Sequence, residues 1–227
     1  MSEFYNIIGD RCELERFVEW LPNSADDEQY YVQLMARKKY LPDHPALQYD
    51  KTMLKRFTTT KERLINKIEQ CEVKVGCYLG KDNIPVPQES LALYISPSPR
   101  SFRKAAFKTI AEFSRKLMND EYINPRQEVM NILQTASTKD GYHVFDIDNT
   151  DRENLYSVME IVGGHCNVIQ TRGGYHLLVI PGNVPVDKVG KDWYPKLKKV
   201  ADVTGDALSP IPGTIQGGFI PRLIYTK

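Results

Sequence analysis

The spacing of apolar residues divides this chain into intermixed short helices and strands. Apolar residues three or four positions apart predict helices over 11–21, 51–70, 100–118, 124–135, 151–162 and 187–201. Runs rich in aromatic and β-branched residues predict strands over 30–36, 91–95, 142–148, 166–171 and 175–180, and a last strand within the tail 207–226. Because the two element types alternate along the whole chain, the predicted fold class is α/β or α+β.

Proline, asparagine and glycine support several of these boundaries. Pro22 ends the first helix, and Asn124 followed by Pro125 gives the fourth helix an N-cap and a favoured first residue. The turn Arg172-Gly173-Gly174 separates two of the predicted strands, which is typical of a tight β-hairpin. The second half of the chain is therefore expected to contain an antiparallel pair of strands.

Composition places the chain among ordinary globular proteins. Hydrophobic residues make up 41% and charged residues 26% of its 227 residues, which excludes a disordered or collagen-like polypeptide. The four cysteines lack zinc-site spacing, so reduced thiols are expected. The N-terminus is unlike a signal peptide, and no apolar run approaches about 18 residues. We therefore expect a soluble, cytoplasmic protein that has no membrane partner.

Basic residues are clustered although the formal net charge is only +1. Residues 31–67 carry nine bases and three acids, and residues 100–118 carry six bases and one acid, whereas residues 10–28 are acidic. Such clustering predicts one positive face of the kind that binds nucleic acid, with solvated helix surface as the alternative. The predicted nucleic-acid contacts are Arg37, Lys38, Lys39, Arg100, Arg103 and Lys104.

Three tyrosines lie near the first basic cluster: Tyr30, Tyr31 and Tyr40. Aromatic rings next to basic residues stack on bases in proteins that bind single-stranded nucleic acid. Tyrosines in strand-like runs are more commonly core residues, so a core position is favoured and a stacking surface is the alternative.

Two acids end a predicted buried strand, Val144–Asp148. Residues i and i+2 of a strand face the same side, so Asp146 and Asp148 project together. Neighbouring carboxylates repel each other unless a cation lies between them, and carboxylate oxygens are ligands that Mg²⁺ and Mn²⁺ prefer. The pair predicts a divalent metal site. Capping of the following helix is the alternative.

Two further motifs follow along the chain. The turn from Thr171 to His176 contains two glycines, which expose backbone N–H groups and admit a ligand closely, so it predicts an anion site. Asp202 and Asp206 then stand as two further acids before the rigid turn Pro212-Gly213-Thr214. An ordinary turn with a satisfied strand histidine and a solvent-exposed loop are the respective alternatives.

Taken in chain order, the three motifs resemble the archaeo-eukaryotic primase superfamily, the primase-polymerases. That family has a strand ending in Asp-x-Asp or Asp-x-Glu, then a Ser-x-His or Ser-Gly-x-Gly-Tyr-His turn, then an acid often followed by Arg-x-Pro-Gly-Thr. The resemblance covers about residues 140–225. This chain has Thr171 where Ser is usual and Ser209 or Pro210 where Arg is common. Gln216, Gly217 and Gly218 replace the basic residue after the turn.

The resemblance implies a fold and an activity. An N-terminal α/β module over 1–138 would pack on an RRM-like, mainly antiparallel sheet over 139–227, with the active site between them. The activity would be template-directed addition of ribo- or deoxyribonucleoside triphosphates to a 3′-OH, with Mg²⁺ or Mn²⁺ as cofactor. The implied partners are nucleoside triphosphates, single-stranded or primer–template DNA, and a helicase or accessory replication domain.

The resemblance also implies roles for individual residues. Asp146, Asp148 and Asp202 would be metal ligands and, with His176, the catalytic residues, while Asp206 could replace Asp202. The nucleotide-binding residues would be Thr171, Arg172, Gly173, Gly174, His176, Thr214 and Arg222.

Two other functions compete for the same residues. Residues 145–150 also resemble the first motif of haloacid-dehalogenase phosphatases, in which Asp146 would be the phosphoryl nucleophile. Against it, no second acid follows Asp206, only 60 residues separate Asp146 from Asp206, and 145 residues precede the motif. The other alternative is a catalytically degenerate nucleic-acid-binding replication protein, which metal binding would distinguish from the enzyme.

Overall fold

The computed structural model describes residues 3–138, 141–204 and 207–227, and these form a mixed α/β protein with antiparallel sheets. Its α-helices are α1 (Arg11–Trp20), α2 (Leu64–Glu69), α3 (Phe102–Met118), α4 (Pro125–Thr135), α5 (Arg152–Ile161), α6 (Val186–Val189) and α7 (Trp193–Leu197). Its strands are β1 (Glu28–Arg37), β2 (Lys51–Thr59), β3 (Leu91–Ile95), β4 (Arg100–Ser101), β5 (His143–Ile147), β6 (Asn167–Gln170), β7 (Tyr175–Val179), β8 (Asp202–Val203), β9 (Ser209–Pro210) and β10 (Arg222–Tyr225).

The first sheet has the order β2-β1-β3-β9, and β4 pairs with the start of β1. Its central strands are apolar on both faces, as expected for strands covered on both sides. Val32 and Leu34 pack into a core that α1 and α2 share, whereas Tyr31 and Met35 pack against α3 and α4 on the other face. Both faces of β1 are therefore buried.

The second sheet has the order β10-β6-β7-β5-β8. One face packs against α5 and α7 through residues such as Phe145 and Leu177. The other face contributes Val144, Ile169 and Leu178 to the same core as the first sheet. The two sheets thus share a hydrophobic core. On the same face of the second sheet, polar residues at the ends of the strands lie beyond this core and are available to form a site.

Segments from the two ends of the chain tie the sheets together. β9 comes after β5, β6, β7 and β8 of the second sheet in the chain, but it pairs with β3 of the first sheet. Near the N-terminus, Ile8 bridges to Thr214, and the amides of Gly9 and Asp10 both donate to the Gly213 carbonyl at 2.9 Å. The predicted boundary near residue 138 therefore separates most, but not all, of the strands of the two sheets.

Several sequence predictions are confirmed by the element bounds. The first, third and fourth predicted helices correspond to α1, α3 and α4, and the Asn124 side chain accepts from the Gln127 amide as an N-cap. β6 and β7 form the predicted hairpin. In the described part of the chain, none of the helices combines the length and the apolar composition that crossing a bilayer requires.

Two predicted helices are wrong. Residues 51–59 form β2, and only 64–69 are helical. The spacing of Met53, Leu54 and Phe57 fits a helix, but the stretch is also rich in threonine and pairs with β1 along its whole length. The helix predicted over 187–201 is split into α6 and α7, because Gly190 adopts φ +89° between them. The two-residue strands β4, β8 and β9 were not predicted.

Candidate active site

Strand register places three of the predicted residues in one row across the second sheet. Asp146 of β5 is paired directly with His176 of β7 on one side and with Asp202 of β8 on the other. Directly paired residues of antiparallel strands lie on the same face. Asp148 lies two residues beyond Asp146, just past the end of β5, and projects toward the same side. The row therefore consists of two carboxylates and a histidine, and a third carboxylate lies next to it.

Asp146 and His176 of this row border an open cavity of about 650 Å³ that residues of both sheets line. The second sheet and its hairpin turn supply Asp146, Asp148, Thr171, Arg172, Gly173 and His176. The first sheet and the segment after β1 supply Met35, Arg37, Lys39, Tyr40, Lys51 and Tyr94. The cavity therefore has an acidic side and a basic side, which suits a ligand that carries both phosphate groups and a metal.

A second, smaller cavity of about 370 Å³ lies on the other side of the acids. Asp146 and Asp148 line both cavities, and Asp202 lines only the smaller one, together with Lys198 and Lys199. The two carboxylates are thus accessible from two directions.

The Asp146 carboxyl is in an environment that disfavours its charge. Burial raises its pKa, and the nearby carboxylates of Asp148 and Asp202 raise it further, while Lys39 and Arg37 act in the opposite direction. A divalent cation between the carboxylates would relieve both the repulsion and the loss of hydration.

His176 connects the acids to the first sheet. Its Nδ1 lies 3.0 Å from Ser209 Oγ of β9, and its Nε2 lies 3.4 Å from Asp146 Oδ1. Burial, helped by the positive charge of Lys39, lowers the pKa of His176 to about 4. The imidazole is consequently neutral at pH 7, with one ring nitrogen protonated and the other able to accept.

Arg37 anchors the basic side of the cavity. It is only 7% exposed at the end of β1, where Nη1 donates to the Tyr94 hydroxyl at 2.5 Å and Nη2 pairs with Asp50 at 3.0 Å. Lys39 lies two residues further on, and Lys51 begins β2 opposite Arg37 in the register. Three cations are therefore brought together by the connection between β1 and β2.

The hairpin turn between β6 and β7 adds a fourth cation, Arg172, and its packing requires a glycine at position 174. Arg172 donates through Nη1 to the Gly217 carbonyl at 2.8 Å, and its guanidinium lies 4.7 Å from the centroid of the Tyr40 ring. A Cβ on Gly174 would lie 1.9 Å from the Ile147 carbonyl oxygen. Only glycine allows the turn to approach the end of β5 so closely, and this brings Arg172 to the cavity that the acids line.

The donor set fits hard divalent cations. No group of three or more described His, Cys, Asp or Glu side chains is arranged to hold a metal ion. Mg²⁺ is commonly bound by one or two carboxylates, with water and substrate phosphate completing its coordination. Asp146 and Asp148 provide such a pair, Asp202 adjoins Asp146, and the cavity leaves room for phosphate oxygens.

The structure places three predicted contacts away from the cavity. Thr214 is fully buried and donates to the Ile211 carbonyl, because the Pro-Gly-Thr turn packs beneath the start of α1. Arg222 pairs with Gln170, which in turn pairs with Tyr175, a residue of the core on the opposite face. Arg100 is 1% exposed, so DNA cannot reach it. We correct these three assignments.

The remaining predictions are placed as follows. Arg103 and Lys104 are exposed on α3. Lys38 is half-buried next to Lys39 but does not line the cavity. Tyr30 and Tyr31 are buried core residues. Asp206 lies outside the described residues, so only Asp202 can be placed relative to Asp146.

The sequence does not predict six of the lining residues as site residues: Met35, Lys51, Tyr94, Thr204, Leu208 and Gln216. Lys51 was assigned to a helix, and the partners that bring these residues to the cavity are distant in sequence. No local pattern signals such contacts.

Comparisons with known proteins add no assignment. No protein-family model matches the sequence, and searches of curated proteins and of solved structures found no significant match.

Proposed function

We propose that this protein is a primase-polymerase-type nucleotidyltransferase. The observation that carries the proposal is that Asp146, Asp148 and His176 face four cations across one cavity, while Asp202 is paired with Asp146 in the neighbouring strand. The resemblance in sequence motifs proposes the same residues independently of the strand register. The phosphates of a nucleoside triphosphate need basic side chains, and its metal ions need carboxylates. One ligand therefore accounts for both the basic side and the acidic side of the cavity.

In the proposed reaction, a 3′-hydroxyl attacks the α-phosphate of a nucleoside triphosphate. A new phosphodiester bond forms, the bond between the α- and β-phosphates breaks, and pyrophosphate leaves. Asp146 and Asp148 would hold Mg²⁺ or Mn²⁺, with Asp202 adjoining Asp146, and the ion when bound would activate the attacking oxygen and stabilise charge on the leaving group. The cavity on the other side of these acids gives the second reactant an approach.

The other residues of the site bind and orient the triphosphate. Arg172 and Lys39 neutralise phosphate charge, and the turn at Gly173 exposes backbone to the same ligand. If the Ser209 hydroxyl donates to Nδ1 of His176, Nε2 carries the proton and can donate to a phosphate oxygen. A neutral histidine then acts as a hydrogen-bond donor, and its role does not require a positive charge.

We extend the proposal to the nucleic-acid template. Arg103 and Lys104 on the exposed surface of α3 are the proposed contacts to the DNA backbone, through charge and without base recognition.

We do not retain the phosphatase alternative. Every strand pairing around Asp146 is antiparallel, in β7-β5-β8. Rossmann-type units, which that alternative needs between its motifs, are built on parallel strands.

The test is primer extension on a single-stranded template with labelled nucleotides and Mg²⁺ or Mn²⁺. The wild type is compared with the double variant Asp146→Asn/Asp148→Asn and with Asp26→Asn, which removes an exposed acid from a turn outside both cavities. We expect extension by the wild type and by Asp26→Asn, and a loss of at least about a thousandfold in the double variant. Incorporation that survives in the double variant would refute the site. Absence of both incorporation and binding of Mn²⁺ and nucleotide by the wild type would favour the degenerate replication protein.

A further inference from the structure

We propose that Gly217 is a positioning residue for Arg172: the space left by its missing side chain allows Tyr40 and the Gly217 carbonyl to hold the guanidinium at the cavity. The inference rests on the proposed function, because the ligand of Arg172 is taken to be the triphosphate. It assigns a role to the segment that stands where the primase-polymerase pattern has a basic residue.

Arg172 is held at both its backbone and its head group. Its amide donates to Gln216 Oε1 at 3.3 Å, and its Nη1 donates to the Gly217 carbonyl at 2.8 Å. The guanidinium lies 4.7 Å from the Tyr40 ring centroid, within the range of a cation–π contact. These partners belong to two segments outside the hairpin that carries Arg172, so the contacts fix the hairpin turn relative to the first sheet.

The turn that supplies these contacts is itself anchored. Gln216 and Phe219 exchange backbone hydrogen bonds at 2.6 and 3.0 Å, and the Gly217 amide donates to the Leu91 carbonyl at 2.9 Å. Gly217 and Gly218 have φ values of +55° and +84°, as the two central residues of a type I′ turn require. The Gly217 carbonyl is thus presented from a fixed turn.

The two glycines differ in what a side chain would meet. A Cβ on Gly217 would lie 2.5 Å from Tyr40 Cδ2 and 2.6 Å from Arg172 Nη1, whereas a Cβ on Gly218 would have nothing within 4 Å. Both backbones are in the left-handed region, so alanine is strained at either position. Only alanine at Gly217 also displaces the Arg172 head group.

Holding Arg172 in advance favours anion binding. A guanidinium has five N–H donors. Among the described residues, the Arg172 guanidinium donates one hydrogen bond, to the Gly217 carbonyl. The other donors remain for phosphate oxygens. Because the side chain is already ordered, binding does not have to restrict its rotation.

The experiment compares Gly217→Ala with Gly218→Ala by calorimetric titration of dATP with Mg²⁺, after circular dichroism shows that both variants fold. We expect Gly217→Ala to weaken dATP binding about tenfold, and Gly218→Ala to remain within about twofold of the wild type. The loss should be smaller for dAMP, which lacks the β- and γ-phosphates. In primer extension, Gly217→Ala should raise KM for the nucleotide with little change in kcat.

A second pair covers the case in which Gly217→Ala does not fold. Tyr40→Leu removes the ring beneath Arg172, whereas Tyr40→Phe keeps it, so phenylalanine should retain most of the binding that leucine loses.

The outcomes separate the two proposals. Equal dATP binding by Gly217→Ala and the wild type, or equal losses in both glycine variants, would overturn the positioning role alone. If the wild type bound neither dATP nor ATP, the proposed function and the positioning role would both be overturned.

Discussion

The acidic and basic sides of the cavity are built in different ways. Asp202, Asp146 and His176 are placed by strand register within one sheet, so regular backbone pairing alone aligns them. Arg37 and Arg172 instead depend on contacts between distant segments, namely Arg37 with Asp50 and Tyr94, and Arg172 with Tyr40 and Gly217. The acidic side is therefore set by secondary structure, and the basic side by tertiary structure.

This difference predicts how each side responds to substitution. Replacing an acid changes charge and metal binding while the strand pairing remains. Replacing a partner on the basic side moves a cation without removing it. The two sides also influence each other, since Lys39 and Arg37 oppose the rise in the pKa of Asp146 that burial and the other acids cause.

The largest predicted effect concerns His176, which lies where the two sides meet. Its pKa of about 4 lies below the usual 6.5, so the unfolded chain binds the proton more readily than the folded protein does. The stability from this residue is fully present above pH 6.5 and is lost as the pH falls toward 4. The loss is roughly 3 kcal/mol at pH 4. His176→Gln should remove this part of the pH dependence in urea unfolding between pH 4 and 7, measured with a chelator.

The matched control is His143→Gln, which removes an exposed histidine from the neighbouring strand β5. It should keep the pH slope of the wild type. If His176→Gln and the wild type lost stability in parallel as the pH fell, burial of a neutral imidazole would not be the cause.

A smaller effect is predicted for Asp146, on the acidic side. Because its pKa is raised in the folded protein, its ionised form costs stability, and that cost grows as the pH rises through the folded pKa. Asp146→Asn should therefore stabilise the metal-free protein at pH 7. With its side chain 36% exposed, solvent screening limits the gain to about 1 kcal/mol, or a Tm increase of about 2–4 °C.

Divalent cations should reverse the order of stability. Millimolar MgCl₂ or MnCl₂ should raise the Tm of the wild type by linkage and raise that of Asp146→Asn much less. Differential scanning calorimetry with and without the metal measures both effects, with Asp26→Asn as the control acid. A metal-induced shift of equal size in Asp146→Asn would remove Asp146 from the proposed ligands.

The same division between register and tertiary contact explains what could be predicted from the sequence. The DxD pair and the glycine turn are local patterns, and the structure brings them together because β5 and β7 are neighbours. Asp202 was proposed through the resemblance, and its pairing with Asp146 joins residues 56 positions apart. Which of these residues bind a ligand stays a prediction.

The failures have physical reasons of the same kind. Thr214 and Arg222 were assigned by motif position, which does not reveal the face or depth of a side chain. Residues 51–59 have spacing that fits a helix, but pairing with β1 makes them a strand. Because the sequence predicts a helix there, it does not place Lys51 at the cavity. Local patterns and the resemblance named the acids and three of the four cations, Arg37, Lys39 and Arg172, whereas the contacts that hold these cations at the cavity required the tertiary structure.

The smallest predicted effect separates placement from net charge on the basic side. Lys38 and Lys39 are adjacent, but only Lys39 lines the cavity and opposes the raised pKa of Asp146. Lys39→Gln should weaken dATP binding about fivefold at low salt, and less at high salt because ions screen the lost charge. Lys38→Gln lowers the net charge equally and should stay within about twofold of the wild type when DNA is absent, since Lys38 is a predicted contact only for DNA. Calorimetry at two salt concentrations measures both variants. Equal losses would mean that overall charge, and not the position of Lys39 in the cavity, attracts the nucleotide.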